Sequence, residues 1–200
     1  MNIEENKFLT KAKEYIEKIK KAMNIERMKE IEYMAKELKN TWEKKGNVYI
    51  CGNGGSAANA IHIANDWFYG VGNCGAGEKR PGINIEALCS NQAILTCLAN
   101  DTGYENVYQE QLKVKAKKGD ILIVLSGSGQ SKNIVKALNY AKKIGMKSFA
   151  ILGYSGGKCL QICDHSIHFE INDMQIAEDL QLIVGHICMQ WLTESRNIKE

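Results

Sequence analysis

A strand, a glycine-rich turn and a helix follow one another in residues 48–66, and this order restricts the fold more than any other feature of the chain. The apolar run 48–51 predicts a buried strand, and the apolar spacing after residue 56 predicts a helix. Glycines let the backbone pass close to a ligand, and the free N–H groups at a helix start attract an anion. A phosphate suits this turn, although an ordinary structural turn has the same pattern. The residues predicted to bind it are Asn53, Gly54, Gly55 and Ser56.

The chain carries a second unit of the same kind. The apolar run 121–125 predicts a central parallel strand, and a Ser/Gly loop and a helix pattern over 131–144 follow it. Two such units converge at the carboxyl end of one parallel sheet, where open α/β sheets bind ligands. Serines at alternate positions suit a phosphate monoester and are not needed by a structural turn. The loop residues predicted to contribute are Ser126, Gly127, Ser128 and Ser131.

The remaining elements continue this alternation. It predicts a single α/β domain, residues 1–200, with a five-stranded parallel sheet flanked by helices. Residues 1–46 form an N-terminal helical segment and 47–200 the α/β core. The last helix is apolar nearly all round, which indicates burial on several sides, including against another subunit. The other predicted strands are 83–88, 148–152 and 166–171, and the other predicted helices are 4–23, 25–45, 56–69, 92–98, 104–114 and 174–194.

Composition excludes several classes of partner. The net charge is only +3, and the lysines near the N-terminus are interleaved with glutamates, which indicates solvated helix faces and not a nucleic-acid surface. No apolar run reaches the length of a membrane span. The seven cysteines are an odd number and the first residues lack the apolar stretch of a signal peptide, so a reducing cytoplasm is expected.

Two pairs of side chains have spacings that could build a metal site. His62 and Asp66 lie four residues apart, and Glu178 and His186 lie eight apart, so each pair shares one face of its helix. Two imidazoles and two carboxylates would suit Zn²⁺ or a similar divalent ion if the helices meet. Spacing alone leaves open that each of them is an ordinary surface or core side chain.

With these motifs the chain resembles the SIS (sugar isomerase) domain family, and within it the phosphoheptose isomerases. The resemblance runs from about Asn24 to the C-terminal helix. Besides the two Gly/Ser loops, it rests on His62 with a carboxylate four residues later, on Arg80-Pro81-Gly82, on Ala99-Asn100-Asp101 and on His186.

The resemblance implies a homotetrameric isomerase that acts on sedoheptulose 7-phosphate through a metal-assisted cis-enediol. The product would be D-glycero-D-manno-heptose 7-phosphate, used in heptose biosynthesis. By the same resemblance, Asp66 and His186 are the acid/base pair, and the N-terminal helices pack against other subunits. Asn100 and Asp101, expected in a loop, touch the sugar, and Glu178 serves the substrate or the metal. The implied ligands of Zn²⁺, or another divalent ion, are His62, Asp66, Glu178 and His186.

Two positions depart from the family pattern. The family has Glu where this chain has Asp66, and Gln where this chain has Glu178. The changes could compensate, with Glu178 supplying the base, or could mark a different sugar phosphate. The alternative is a non-catalytic SIS protein that binds a sugar phosphate or a protein partner, as regulators and a replication-initiator-binding branch of the family do.

Overall fold

The computed structural model describes residues 3–196, and five parallel strands form the centre of this part of the chain. Their order across the sheet is β2-β1-β3-β4-β5, and every neighbouring pair is parallel. The predicted α/β fold with a five-stranded parallel sheet is therefore confirmed. The strands are β1 (Asn47–Cys51), β2 (Asn84–Ala87), β3 (Ile121–Ser126), β4 (Lys147–Leu152) and β5 (His165–His168).

Helices cover both faces of this sheet. Because the chain leaves β1 toward one edge and β3 toward the other, right-handed crossovers place the helices that follow these strands on opposite faces. No helix between residues 3 and 196 has the length and apolar character needed to cross a membrane. The helices are α1 (Ile3–Ala22), α2 (Ile25–Glu43), α3 (Gly55–Asn65), α4 (Val71–Asn73), α5 (Gln92–Thr102), α6 (Val107–Lys115), α7 (Lys132–Ile144), α8 (Gly157–Ile162) and α9 (Met174–Ser195).

Short irregular turns link some of these helices. A π-helical turn, Asp66–Gly70, joins α3 to α4, and a 3₁₀ turn, Tyr104–Asn106, precedes α6. α9 packs against both α2 and α3, whereas α7 packs against α6 and α8 on the opposite face. The first of these layers places α9 beside the helix that follows β1.

The structure corrects the predicted position of Asn100 and Asp101, which lie in the last turns of α5 and not in a loop. The helix continues to Thr102 because the first residue that stops it is Gly103, which has φ +90 and donates its N–H to the carbonyl of Ala99. Such a φ is readily adopted only by glycine. The Asn-Asp pair, which favours turns in general, is here part of the helix that the glycine ends.

Other elements also differ from prediction. β5 ends at His168 and not at residue 171, and the short helix α8 was not predicted. The predicted loop 70–82 starts later, because Gly70 and Gly72 are helical. A Cβ at Gly70 would lie 2.4 Å from the Met189 side chain, and one at Gly72 would lie 2.0 Å from a backbone carbonyl oxygen. These two glycines therefore permit close packing and do not mark a turn.

A buried carboxylate joins β1 to β3 at the amino end of the sheet. Asp120 is 1% exposed and accepts hydrogen bonds from the backbone N–H of Asn47 (3.2 Å), the Asn47 amide (3.1 Å) and the backbone N–H of Lys117 (3.0 Å). It thereby fixes the entry of both strands that carry the Gly/Ser loops.

Substitution Asp120→Ala is expected to lower the free energy of unfolding by about 3 kcal/mol. The variant leaves without a partner the buried N–H donors that bond the charged carboxylate in the wild type. Urea denaturation with an unchanged m-value measures this. The exposed Asp101→Ala provides the comparison and should stay within about 0.5 kcal/mol of the wild type. Equal losses in the two variants would contradict the role given to Asp120.

Candidate active site

The two Gly/Ser loops lie side by side at the carboxyl end of the sheet. β1 and β3 are neighbours, with Cys51 paired to Val124, and their chain directions diverge after these residues. This is the topological switch point of the strand order, where open α/β sheets leave a crevice for ligands. The loops 52–56 and 126–131 therefore face one crevice, as the sequence predicts.

A pair of side-chain amides joins the two loops. Asn53 donates to Oδ1 of Asn133 at 2.9 Å, and Asn133 donates back to Oδ1 of Asn53 at 2.8 Å. The hydroxyl of Tyr104 also donates to Asn53 Oδ1, at 2.9 Å. Asn133 is buried and Asn53 is partly exposed, so this exchange lies at the border between the core and the crevice. Sequence reasoning missed Asn133 and Tyr104, although a buried polar residue in the first turn of α7 is a usable signal.

The first loop presents backbone N–H groups at the start of α3. Gly54 has φ +56 and is the residue before the helix, and Gly55 and Ser56 are its first two residues. The first N–H groups of a helix have no partner within it and carry part of its positive dipole. The Tyr108 hydroxyl donates to the carbonyl of Gly52, which holds the beginning of the loop, and burial raises the Tyr108 pKa.

The second loop is braced by its own serines. Ser126 Oγ accepts the N–H of Gly129 at 3.0 Å, and Ser128 Oγ accepts the N–H of Gln130 at 3.3 Å. Gly127 accepts the N–H of Gly153 at 3.0 Å, which ties the loop to the end of β4. Ser131 precedes α7 without capping it through its side chain. The oxygens of Ser126 and Ser128 thus shape the loop, and neither hydroxyl hydrogen has an acceptor within residues 3–196, so both can be donated to a ligand.

α3 and α9 bring three of the predicted catalytic and metal-binding side chains together. The helices run side by side in the same direction, with Gly185 against Ile63 and the Trp67 indole donating to the Gly185 carbonyl at 3.1 Å. Nε2 of His62 lies 2.9 Å from Nε2 of His186. Asp66 Oδ2 is 3.4 Å from the first and 3.5 Å from the second. We call these three residues the His/Asp cluster.

The His/Asp cluster fits a divalent cation. Its ligand atoms all lie within 4.8 Å of one another. Their separations, 2.9 to 3.5 Å, bracket the roughly 3.3 Å expected between two ligands of a tetrahedral zinc ion with bonds of about 2.0 Å. The imidazoles are about half exposed, which leaves one side open. Asp66 reaches both imidazoles although it is shorter than the family's Glu, and it lies where α3 passes into the π-helical turn.

Glu178, the fourth predicted ligand, is not part of this group. Its carboxylate lies against the start of α3, where a Cβ on Gly55 would be 2.4 Å from both of its oxygens. Gly55 precedes His62 by seven residues, which is about 10 Å along a helix. The structure therefore places Glu178 at the first Gly/Ser loop, on the predicted phosphate side of the site.

The other residues singled out in the sequence lie around the crevice or apart from it. Asn100 and Asp101 are exposed and bond each other at 2.8 Å, and Asp101 also accepts the Cys97 thiol, which raises the pKa of Cys97. Tyr104, a few residues further on, reaches Asn53, so the end of α5 borders the crevice.

Arg80 stacks its guanidinium 3.5 Å from the centre of the Trp42 ring.

The fold and the site define a parallel α/β protein with paired Gly/Ser loops beside a His/Asp cluster. The SIS domain model matches residues 7–153. The phosphoheptose isomerase of Aneurinibacillus thermoaerophilus is 33% identical over 168 residues, which cover 82% of this chain and 81% of that protein. Phosphoheptose isomerase 2 of Campylobacter jejuni is 39% identical over 148 residues, covering 72% and 70%. The chain therefore belongs to the SIS domain family and groups with its phosphoheptose isomerases.

Solved structures agree on the fold. A phosphoheptose isomerase from Francisella tularensis matches with a TM-score of 0.86 and 23% identity, covering 97% of this chain and 100% of that one. The phosphoheptose isomerase GmhA from Neisseria gonorrhoeae matches with a TM-score of 0.84, also at 23% identity, over 95% and 98%. The sheet order and the flanking helices described above are thus those of a known architecture.

Proposed function

We propose that the protein is an isomerase that interconverts sedoheptulose 7-phosphate and D-glycero-D-manno-heptose 7-phosphate. Its membership among the phosphoheptose isomerases supports an isomerase acting on a sugar phosphate. The observation that carries the proposal is the His/Asp cluster. His62 and Asp66 lie at the end of α3, a helix that begins at a Gly/Ser loop, and His186 of α9 meets them there.

The distance between the two parts of the site suits a long sugar phosphate. In sedoheptulose 7-phosphate, the phosphate is on C7 and the reacting carbons are C1 and C2, at the other end of the chain. Ser56 and His62 are six residues apart on α3, which is about 9 Å along the helix axis. A phosphate held at the start of α3 therefore leaves room for several carbons before the acid/base groups.

In this proposal the loops fix one end of the substrate and the His/Asp cluster moves protons at the other. Backbone N–H groups and serine hydroxyls of the loops bind the phosphate, which removes most of the substrate's freedom to rotate. Asp66 and His186 are the acid/base pair: one takes a proton from C1 while the C2 oxygen gains one, which gives the enediol. A proton then returns to C2 as the O1 hydroxyl loses its own, which gives the aldose. Asp66 and His186 lie side by side, with Oδ2 of one 3.5 Å from Nε2 of the other, a spacing that suits proton transfers at neighbouring carbons. We place Asn100 and Asp101 against the sugar hydroxyls.

The donor set of the His/Asp cluster supports a divalent ion, Zn²⁺ or a similar metal, held by His62, Asp66 and His186. When bound, the ion would polarise the substrate oxygens and stabilise negative charge on them. Glu178 would join these ligands only if its side chain turned away from Gly55 and toward His186. With Glu178 beside the phosphate loop, the proposal rests on three protein ligands and an open position, an arrangement typical of catalytic zinc.

A homotetramer in the cytoplasm, supplying heptose for surface polysaccharide, completes the proposal. Exposed apolar side chains support contacts with further copies. Phe8, Leu9 and Ile16 of α1 are exposed, and so are Ile61 and Ile187, the direct neighbours of His62 and His186. An interface there would cover the open side of the active site.

The test is conversion of sedoheptulose 7-phosphate by the purified protein, with added Zn²⁺, with a chelator, and with Asp66→Asn. We expect turnover to fall at least 100-fold with the chelator and to return with added Zn²⁺. We expect it to be lost in the Asp66→Asn variant, because positioned proton transfer contributes roughly 10²–10⁴ in rate. Turnover that persists in the chelator would reject the proposed metal but leave the proposed isomerase activity standing. Binding of sugar phosphates without turnover would instead favour a non-catalytic SIS protein.

A further inference from the structure

A hydrogen-bond chain connects α9 to the start of α3, apart from the His/Asp cluster. The amide nitrogen of Asn59 donates to the backbone carbonyl of Glu178 at 2.9 Å and to Gln181 Oε1 at 3.0 Å. Gln181 Nε2 in turn donates to Ser56 Oγ at 3.0 Å. Gln181 is 1% exposed and Ser56 is 4% exposed, so water does not compete for these bonds.

The direction of this chain follows from its chemistry. A backbone carbonyl can only accept, so Asn59 must turn its NH₂ group toward α9. The side of Gln181 that faces this NH₂ group must then be its oxygen, and its own NH₂ group must face Ser56. Reversing either amide would place two donors or two acceptors against each other.

This direction decides what the Ser56 hydroxyl can do. A serine hydroxyl has one hydrogen to donate and lone pairs to accept. Gln181 occupies the accepting side, so the hydrogen must point elsewhere, and the structure gives it no acceptor among residues 3–196. Ser56 is the second residue of α3, beside the free N–H groups of the helix start. A buried donor without a partner at this place needs an external acceptor.

We propose that Gln181 and Asn59 are positioning residues that orient the Ser56 hydroxyl to donate to the phosphate of the substrate. The inference rests on the proposed function, because it needs a phosphate in the first Gly/Ser loop. Gln181 acts through Ser56 and not by touching the substrate. It therefore affects how tightly the phosphate is held and leaves the proton transfers at the His/Asp cluster unchanged.

Two substitutions of similar size separate this role from a merely structural one. Gln181→Glu still accepts from Asn59 but also accepts from Ser56, which draws the hydroxyl hydrogen away from the phosphate. Gln181→Met forms neither bond and leaves the hydrogen free. Titration calorimetry with inorganic phosphate measures the effect. We expect Kd to rise roughly 10- to 100-fold in Gln181→Glu, which corresponds to the free energy of one lost hydrogen bond to a charged group, and less than about 3-fold in Gln181→Met. A structural role predicts the opposite order.

The new negative charge of Gln181→Glu is controlled by repeating it in a Ser56→Ala background. If the effect passes through the hydroxyl, the substitution costs much less phosphate affinity there than in the wild type. Equal losses in both backgrounds would overturn the inference, because they would show repulsion by charge alone. In turnover of sedoheptulose 7-phosphate, KM should rise with the phosphate Kd while kcat stays within about 3-fold, the split expected when only uniform binding is lost.

The wild type tells the two proposals apart. If it binds neither inorganic phosphate nor sedoheptulose 7-phosphate, the proposed function fails, and this inference fails with it. If it binds both and Gln181→Glu is unchanged, only the inference fails. If it binds both without isomerising the sugar, the proposed activity is rejected, and the order of the two Gln181 variants still decides the inference.

Discussion

Replacing His186 with glutamine is expected to lower kcat for sedoheptulose 7-phosphate by about 10³-fold, the middle of the range for a lost acid or base. Glutamine has a similar length but no basic nitrogen, so it cannot carry a proton between substrate carbons. His186 lies 2.9 Å from His62 and 3.5 Å from Asp66, so the substitution also removes one of three convergent donors. Steady-state kinetics with saturating substrate measures the loss, and KM should change far less than kcat.

His165→Gln is the matched control. His165 is another partly exposed histidine, but it starts β5, at the opposite end of the sheet, where its ring lies 4.6 Å from that of Tyr33. Its substitution should leave kcat within about 2-fold. A His186→Gln enzyme that retained a tenth or more of wild-type kcat would remove His186 from the acid/base pair. Circular dichroism and unfolding midpoints of both variants show whether any loss is due to misfolding.

The second large effect is expected from Gly129→Ala, in the second Gly/Ser loop. Gly129 has φ +62, and a Cβ there would lie 2.0 Å from the backbone oxygen of Gly156. Neither backbone segment can yield without breaking the bond between the Gly129 N–H and Ser126 Oγ or that between the Cys159 N–H and the Gly129 carbonyl. We expect the free energy of unfolding to fall by about 3 kcal/mol or more. Binding of inorganic phosphate should be lost at concentrations that saturate the wild type.

Gly119→Ala separates the cost of the clash from that of a positive φ. Gly119 has φ +89, but a Cβ there would meet no atom within 4 Å, and it lies at the amino end of β3, away from the loops. It should lose only about 1–2 kcal/mol, the cost of a left-handed conformation for alanine, and should keep phosphate affinity. Similar losses in stability for the two variants would show that the loop tolerates the added methyl group.

Much of the fold could be predicted from the sequence, because its apolar runs and periodic helices agree with one another. The run 121–125 is buried throughout, as a central parallel strand must be. Asn24, a residue type that favours the position before a helix, caps α2 by accepting the N–H of Arg27 at 3.0 Å. The predictions failed where a residue type is compatible with two local structures. Gly70 and Gly72 were expected in a loop but allow close helix packing, and Asn100 and Asp101 were expected in a loop but belong to a helix that ends only at Gly103.

The site could be predicted only in part, because spacing along a helix does not say what lies opposite. His62 and Asp66 had to share a face, but their meeting with His186 depends on Gly185, which lets Ile63 pack against the backbone of α9. No local signal gives that contact. Gln181 was missed for the same reason: a glutamine in an apolar helix is unremarkable until its partner, Ser56, is known.

Because α3 and α9 lie side by side in the fold but far apart in the chain, the two halves of the active site are synthesised at different times. His62 and His186 are 124 residues apart in the chain. During synthesis from the N-terminus, both Gly/Ser loops leave the ribosome before α9 does, so a growing chain holds its anion-binding elements well before its acid/base pair. In terms of the proposed function, a chain made only as far as β5 has both Gly/Ser loops but lacks Gln181, which orients Ser56, and His186 of the acid/base pair. Catalytic competence arrives with the last helix.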